Sequence, residues 1–202
     1  MSANQPSFIE QARRAQIVET TIETIAAIGL SGASLGTIAK RAGVSTGVLT
    51  YHFANKDDLI EQSIKKLFEA PNAFVVARVD GQGTHRERLR SYVTATLEFM
   101  RSNREYAVAL VYCQGAAGSD ANLSRMVTRH HGQIRKYVGR LLRAGQEAGE
   151  FRSFEVAPMA GLVFASIEGL MLQWVIDTDA LDMDQTGEEL VATMESRILV
   201  SA

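Results

Sequence analysis

The chain has almost no cysteine, little proline and no unbroken apolar run of membrane-spanning length. Cys113 is the single cysteine among 202 residues, so no intrachain disulfide can form and a reducing compartment is expected. Pro6, Pro71 and Pro158 are the only prolines, too few for a low-complexity or collagen-like chain. The N-terminal stretch MSANQPSFIEQARRAQ has no apolar centre, so no secretory signal is expected. The most apolar segment, Met159 to Ile176, is interrupted by Glu168 and Gln173 and reads as a buried helix rather than a bilayer span. A cytoplasmic protein without membrane attachment is the expectation. There is no Gly-rich phosphate loop, and His130 and His131 are adjacent, so they lack the i, i+4 spacing of a helical zinc pair. Cys113 has no local signature of a nucleophile. Neither catalysis, nor a metal, nor a cofactor is expected.

What is present suits a globular protein: 46% of residues are hydrophobic and 22% charged, enough for one good core or a small module joined to a larger one. The net charge of −2 conceals an asymmetry. Up to Lys56 there are five basic residues (Arg13, Arg14, Lys40, Arg41, Lys56) against three acids (Glu10, Glu19, Glu23), whereas the remainder has sixteen basic and twenty acidic residues. A basic first quarter on an acidic body directs the N-terminal part toward a polyanion.

Helical spacing recurs along the chain and period-two alternation does not persist. Val18, Ile22 and Ile25 share a face of a first helix, with Gly29 as its stop. Ser34 is placed to cap a short helix, LGTIAKRA, closed by Gly43, and Ser45 to cap a third from Thr46 to about Phe53. Asn55 and Asp58 resemble a capping box for a fourth helix, which Pro71 should end or kink. After a loop around Gly81 and Gly83, longer helices are expected over about 86–101, 104–114, 121–148, 158–176 and 188–199. The fold class is therefore all-α: a three-helix helix-turn-helix head, residues 1–56, and a long-helix body, residues 57–202.

Two short helices separated by Gly43-Val44-Ser45 have the layout of a helix-turn-helix, whose second helix lies in a DNA major groove. Ile38, Val44 and Leu49 are the apolar pegs, and Ala39 is small where the helices cross. Thr46, Gly47, Thr50, Tyr51 and His52 remain, polar and pointing away. Hydroxyls of this kind bond phosphates or base edges, and the N–H groups at Ser45-Thr46-Gly47 are open to a phosphate. On spacing alone, a solvated short helix in a ligand-binding or scaffold protein without DNA binding fits equally well.

The run from Ser34 to Leu59, SLGTIAKRAGVSTGVLTYHFANKDDL, resembles the signature of the TetR family of bacterial transcriptional regulators. The matching elements are IAKRAGVS, then Gly47, Tyr51-His52-Phe53, Lys56 and Leu59, over about the first 60 residues. The resemblance implies DNA contacts from Ser34, Thr37, Thr46, Gly47, Thr50, Tyr51, His52 and Lys56. Family members often carry tyrosine where this chain has Thr50, which puts one aromatic phosphate contact in doubt. The family implies a repressor, less often an activator, that binds a palindromic operator as a homodimer and takes a small-molecule ligand in its body. The apolar helix at about 158–177, with Ala160, Gly161, Ala165 and Gly169 permitting close approach, and the last helix at about 188–199 suit a four-helix dimer interface. For the ligand, the body offers Phe99, Tyr106, Tyr112, Cys113, Phe164, Glu168, Met171 and Trp174, with Tyr92, Met100 and Gln114 nearby in the pattern. Such a set fits an apolar molecule with a polar handle. Glu168 stands out, because a carboxylate on so apolar a helix needs a partner.

Overall fold

The computed structural model describes residues 7–200; the outermost ends of the two expected domains, residues 1–6 and 201–202, lie outside them. Among the described residues nine α-helices follow one another: α1 Phe8–Gly32, α2 Leu35–Ala42, α3 Thr46–His52, α4 Lys56–Val79, α5 His85–Ser102, α6 Arg104–Ala116, α7 Ala121–Glu147, α8 Val156–Ile176 and α9 Met183–Ile198. The only extended pairing among the described residues is an isolated antiparallel bridge between Phe151 and Leu199.

α1 starts with a complete capping box. Ser7 Oγ accepts the Glu10 N–H, and the Glu10 carboxylate accepts the Ser7 N–H at 2.7 Å. Ile17, Val18, Ile22 and Ile25 bury one face. Thr20, Thr21 and Thr24 are buried among them, and the last two return their hydroxyls to Ile17 and Thr20 carbonyls at 2.8 and 2.6 Å. Buried polar groups satisfied in this way are compatible with an apolar core. Gly29 leaves helical geometry with φ 75°, a region that favours glycine, and a last turn runs to Gly32. Along its length α1 packs on α2 and α3, on α4, and on α6.

Three local expectations need correction. Pro71 neither ends α4 nor interrupts its helical dihedrals; the helix continues to Val79. Phe68, Pro71, Val75 and Val79 are all buried, and α4 packs extensively on α5, so tertiary burial outweighs the lost backbone hydrogen bond. Asn55 caps α4 by accepting the Asp58 N–H at 2.9 Å, but Asp58 returns its bond to the Ala54 N–H rather than to Asn55. The last helix begins at Met183, five residues earlier than its apolar spacing implies, because Asp182 caps it by accepting the N–H groups of Asp184 and Gln185 at 3.0 Å.

α9 is fastened to α5 by ion pairs. Arg86 forks onto Glu195 at 2.7 and 3.0 Å, Arg90 pairs with Glu188, and Arg101 meets Asp184 at 2.6 Å. The turn after α7 closes on the same region. Phe151 is buried, its N–H bonds the Gly145 carbonyl at 3.0 Å, and the Arg152 N–H bonds the Ile198 carbonyl at 2.8 Å.

Gly145 lies under the Phe151 ring so closely that an added Cβ would fall 2.2 Å from two ring carbons. Gly145→Ala is expected to destabilise the protein by about 1–3 kcal/mol through overpacking, read as a lower midpoint in urea. Gly132→Ala, within α7 and where a Cβ meets nothing within 4 Å, serves as the tolerated control.

Between α4 and α7, His130 stacks on Phe68 with ring centroids 3.8 Å apart. Burial, with a smaller push from His131, lowers its pKa from 6.5 to about 4. The unfolded chain therefore binds a proton below about 6.5 that the folded chain refuses until about 4. The stabilisation is complete above the unfolded value and falls as pH drops through that window, by about 3 kcal/mol. His130→Phe, which keeps the stack, is expected to lose correspondingly less stability between pH 7 and pH 4 in parallel denaturation curves.

Candidate DNA interface and ligand-binding body

The head is built on buried pegs. Ile38 and Leu49 are wholly buried, Phe53 and Ala39 nearly so, and Val44 is half-buried. Gly43 adopts φ 66°, ψ 32°, the left-handed geometry that lets α2 stop and α3 turn away. Ser34 caps α2: its Oγ accepts the Thr37 N–H at 3.1 Å and lies 2.8 Å from the Thr37 hydroxyl. Both side chains are thus already engaged in holding the helix start. Ser45 occupies the N-cap of α3, but its side chain makes no capping bond. The expected cap is supplied only by backbone, through the Ser45 carbonyl and the Val48 N–H at 3.0 Å, which leaves the Ser45 hydroxyl exposed.

Thr46, Gly47, Thr50 and Tyr51 are exposed. Their spacing, with 46 and 50 four apart and 47 and 51 four apart, makes one continuous strip on α3. Thr50 Oγ1 donates to the Gly47 carbonyl at 3.2 Å. Tyr51 is 72% exposed and stands edge-to-face against His52 at 5.0 Å. His52 is half-buried, and Lys56 is the half-buried first residue of α4. Among the described residues, Lys40, Arg41 and Lys56 pair with no carboxylate.

Two residues at this site escape a reading of the α2–α3 motif because they come from α1. Arg14 donates to the His52 carbonyl, and its guanidinium lies 4.4 Å above the Phe53 ring. Glu10 accepts the Tyr51 hydroxyl at 2.8 Å. Their i, i+4 spacing on α1 was the available signal. It is legible only once α1 is known to lie along α3.

The body separates the eight expected ligand residues into different surroundings. Phe99 and Tyr106 meet edge-to-face at 5.6 Å, and Tyr106 donates its hydroxyl to Glu19 of α1 at 2.7 Å. Burial, then the Glu19 hydrogen bond, raises the pKa of that phenol. Cys113 is wholly buried, and burial pushes its thiol up to about 12. It is core, unsuited to act as a thiolate. Tyr112 is 45% exposed, over Gly29. Met171 and Trp174 are buried on α8, with the Arg104 guanidinium 5.9 Å from the Trp174 ring.

Phe164 and Glu168 lie together. Gln114 donates to Glu168 Oε1 at 2.6 Å, His131 Nε2 is 3.4 Å from the same oxygen, and the Phe164 ring stands 5.0 Å from the His131 ring. Burial raises the Glu168 pKa, while His131, Gln114 and Arg135 pull it back. The charge of Glu168 in turn helps raise that of buried Tyr92, after burial and Tyr137. Tyr106 and Gln114 are eight residues apart on α6, about 12 Å of rise, so the Tyr106 and Glu168 groups are distinct. His131 was missed as a partner of Glu168 because adjacency to His130 speaks only against a helical metal pair. Among the described residues no group of three or more His, Cys, Asp or Glu side chains could hold a metal ion.

On the outside, α8 and α9 flank an open groove of about 410 Å³ lined by Ala165, Gly169, Leu170, Gln173, Thr186 and Leu190. Leu162, Leu172 and Ile176 are exposed on α8. The helix thus buries one face within the chain and presents another apolar face to the outside. By length and composition alone it could cross a membrane, a property that core and interface helices share.

Comparison with known proteins gives this arrangement a context. Residues 17–62 match the N-terminal model of bacterial regulatory proteins of the tetR family, and residues 85–199 match that of the BetI-type transcriptional repressor C-terminal domain. The HTH-type transcriptional regulator BetI 1 of Chromohalobacter salexigens is 33% identical over 97 residues, 48% of each chain. BetI of Stenotrophomonas maltophilia is 32% identical over 96 residues, 47% of this chain and 49% of its own. The chain thus spans about half the length of the curated relatives it matches. A transcriptional regulator from Saccharomonospora viridis, solved in complex with choline, shares the fold with a TM-score of 0.84 at 21% identity, over 95% of this chain and all of its own. With a helix-turn-helix head and a body matched by these two models, the chain belongs to the TetR family of bacterial transcriptional regulators.

Proposed function

We propose that the protein is a homodimeric, sequence-specific DNA-binding repressor, acting in the cytoplasm and released from a palindromic operator by a small molecule. Residues 1–56 read DNA, and residues 57–202 dimerise and bind ligand. The observation that carries this reading is the α3 strip. Thr46, Gly47, Thr50 and Tyr51 face outward from a helix anchored by buried Leu49 and Phe53, with Lys56, Lys40 and Arg41 supplying unpaired positive charge. Thr46 and Thr50 read base edges; Tyr51, His52, Lys56 and the N–H groups at Ser45–Gly47 hold phosphates; Ser34 and Thr37 touch the backbone from the start of α2. Two copies joined through α8 and α9 present their α3 helices about 34–36 Å apart, one turn of DNA.

For the ligand, the Glu168 group supports an organic cation. A half-buried carboxylate beside Phe164, Tyr92 and His131 offers charge and aromatic faces together. The choline-bound regulator of Saccharomonospora viridis agrees with that chemistry. Gln114 donates to Glu168 and His131 stands beside it, so a cation would meet a carboxylate already held in place. Binding would bias the spacing of the two α3 helices by its differential affinity for two states.

Three measurements test the proposal. Lys56→Ala is expected to weaken every duplex alike and to reduce the salt slope of log K by about 1, followed by fluorescence anisotropy. Wild-type protein with no salt-dependent affinity for any duplex would overturn the DNA reading. Gly169→Arg, placed where a Cβ meets nothing within 4 Å, should leave the fold intact and shift the sedimenting mass from twice 22.1 kDa to the single-chain value. Choline, titrated calorimetrically, should bind the wild type and lose at least tenfold in affinity with Glu168→Gln; equal binding by both would remove Glu168 from the site.

A further inference from the structure

The α3 strip carries one hydrogen bond that works against its use on DNA. The Tyr51 hydroxyl, on a side chain 72% exposed, donates to Glu10 Oε1 at 2.8 Å. The carboxylate is not a free rotamer that happened to fall there. Its Oε2 accepts the Ser7 N–H at 2.7 Å, and the Ser7 hydroxyl accepts the Glu10 N–H at 3.3 Å. Capping α1 and holding Tyr51 are thus done by the two oxygens of one carboxylate. The Ser7 N–H first, then Tyr51 and the Ser7 hydroxyl, hold its pKa below the usual carboxylate value, so it stays ionised.

Donor counting gives the consequence. A tyrosine has one hydroxyl proton, and the free oxygens of a DNA phosphate only accept hydrogen bonds. While Tyr51 donates to Glu10 it cannot donate to a phosphate, and the carboxylate itself repels the backbone. Resting on the DNA-binding reading above, we propose that Glu10 is an internal competitor of the DNA backbone for Tyr51, limiting affinity for all duplexes irrespective of sequence. On binding, the proton stays on Tyr51 and only its acceptor changes, from Glu10 to a phosphate oxygen. Because phosphate contacts carry no sequence information, the limit lowers specific and non-specific affinity together. It shortens residence everywhere while leaving the preference for the operator to Thr46 and Thr50.

The test is a double-mutant cycle on the full chain. Glu10→Gln removes the charge but keeps a group able to serve the capping box, so α1 is expected to remain capped, checked by thermal denaturation. The probe is a mixed-sequence duplex of about 30 base pairs, which needs no knowledge of the operator, with affinity measured at two salt concentrations. Glu10→Gln is expected to tighten binding by about three- to tenfold in the Tyr51 protein. In a Tyr51→Phe background the same change should give less than half that effect on a logarithmic scale. Equal tightening in both backgrounds would mean that Glu10 acts by charge alone, and would overturn the proposal. Weaker binding by Glu10→Gln would also overturn it, because Glu10 would then be holding Tyr51 in its binding pose. A wild-type protein without salt-dependent affinity would remove the DNA reading itself, and this proposal with it.

Discussion

The burial of α1 is the constraint on which the other elements depend. Its inner face, from Ile17 to Ile25, belongs to the same continuous core as the pegs of α2 and α3 and the inner faces of α4 and α6. The head is therefore not a bead on a string. Arg14 near one end of α1 holds the His52 carbonyl at the end of α3, and Glu19 further along takes the Tyr106 hydroxyl of α6. A helix of this length is stiff on the scale of a single domain. α1 touches both the end of α3 and the body helix α6 directly, with no linker between them.

Much of the head was legible from the chain because each step there is fixed by local chemistry. Ser34 caps, Gly43 needs a left-handed turn, and Ile38 and Leu49 have no other place to go. What could not be read was the set of α1 side chains that reach α3. Glu10 and Arg14 meet Tyr51 and His52 across about forty residues of sequence, and no local pattern encodes such a meeting. Pro71 is a related case. Its effect on an isolated helix is large, but the apolar residues on both sides of it are buried in the common core, Phe68 against His130 of α7, and the helix runs on past it.

The body was legible in its helices and opaque in its chemistry. Aromatic and methionine residues at helical spacing have the same composition whether they line a pocket or fill a core. Cys113, Met171 and Trp174 prove to be buried, and Tyr112 faces outward. Glu168 was conspicuous because one carboxylate on an apolar helix must be accounted for. Its accounting, through Gln114 of α6 and His131 of α7, ties together three helices that contribute one polar group each.

The apolar outer face of α8 has a consequence for how such a protein behaves in small numbers. Leu162, Leu172 and Ile176 remain exposed on a single copy, so on the dimeric reading part of the free energy of the native state is withheld until a second copy arrives. By mass action, folded population then rises with abundance. On that reading, a freshly synthesised chain at low concentration is held less firmly, and is more open to degradation, than the same chain in company. On that same reading, copy number becomes a control variable in its own right, requiring no additional site.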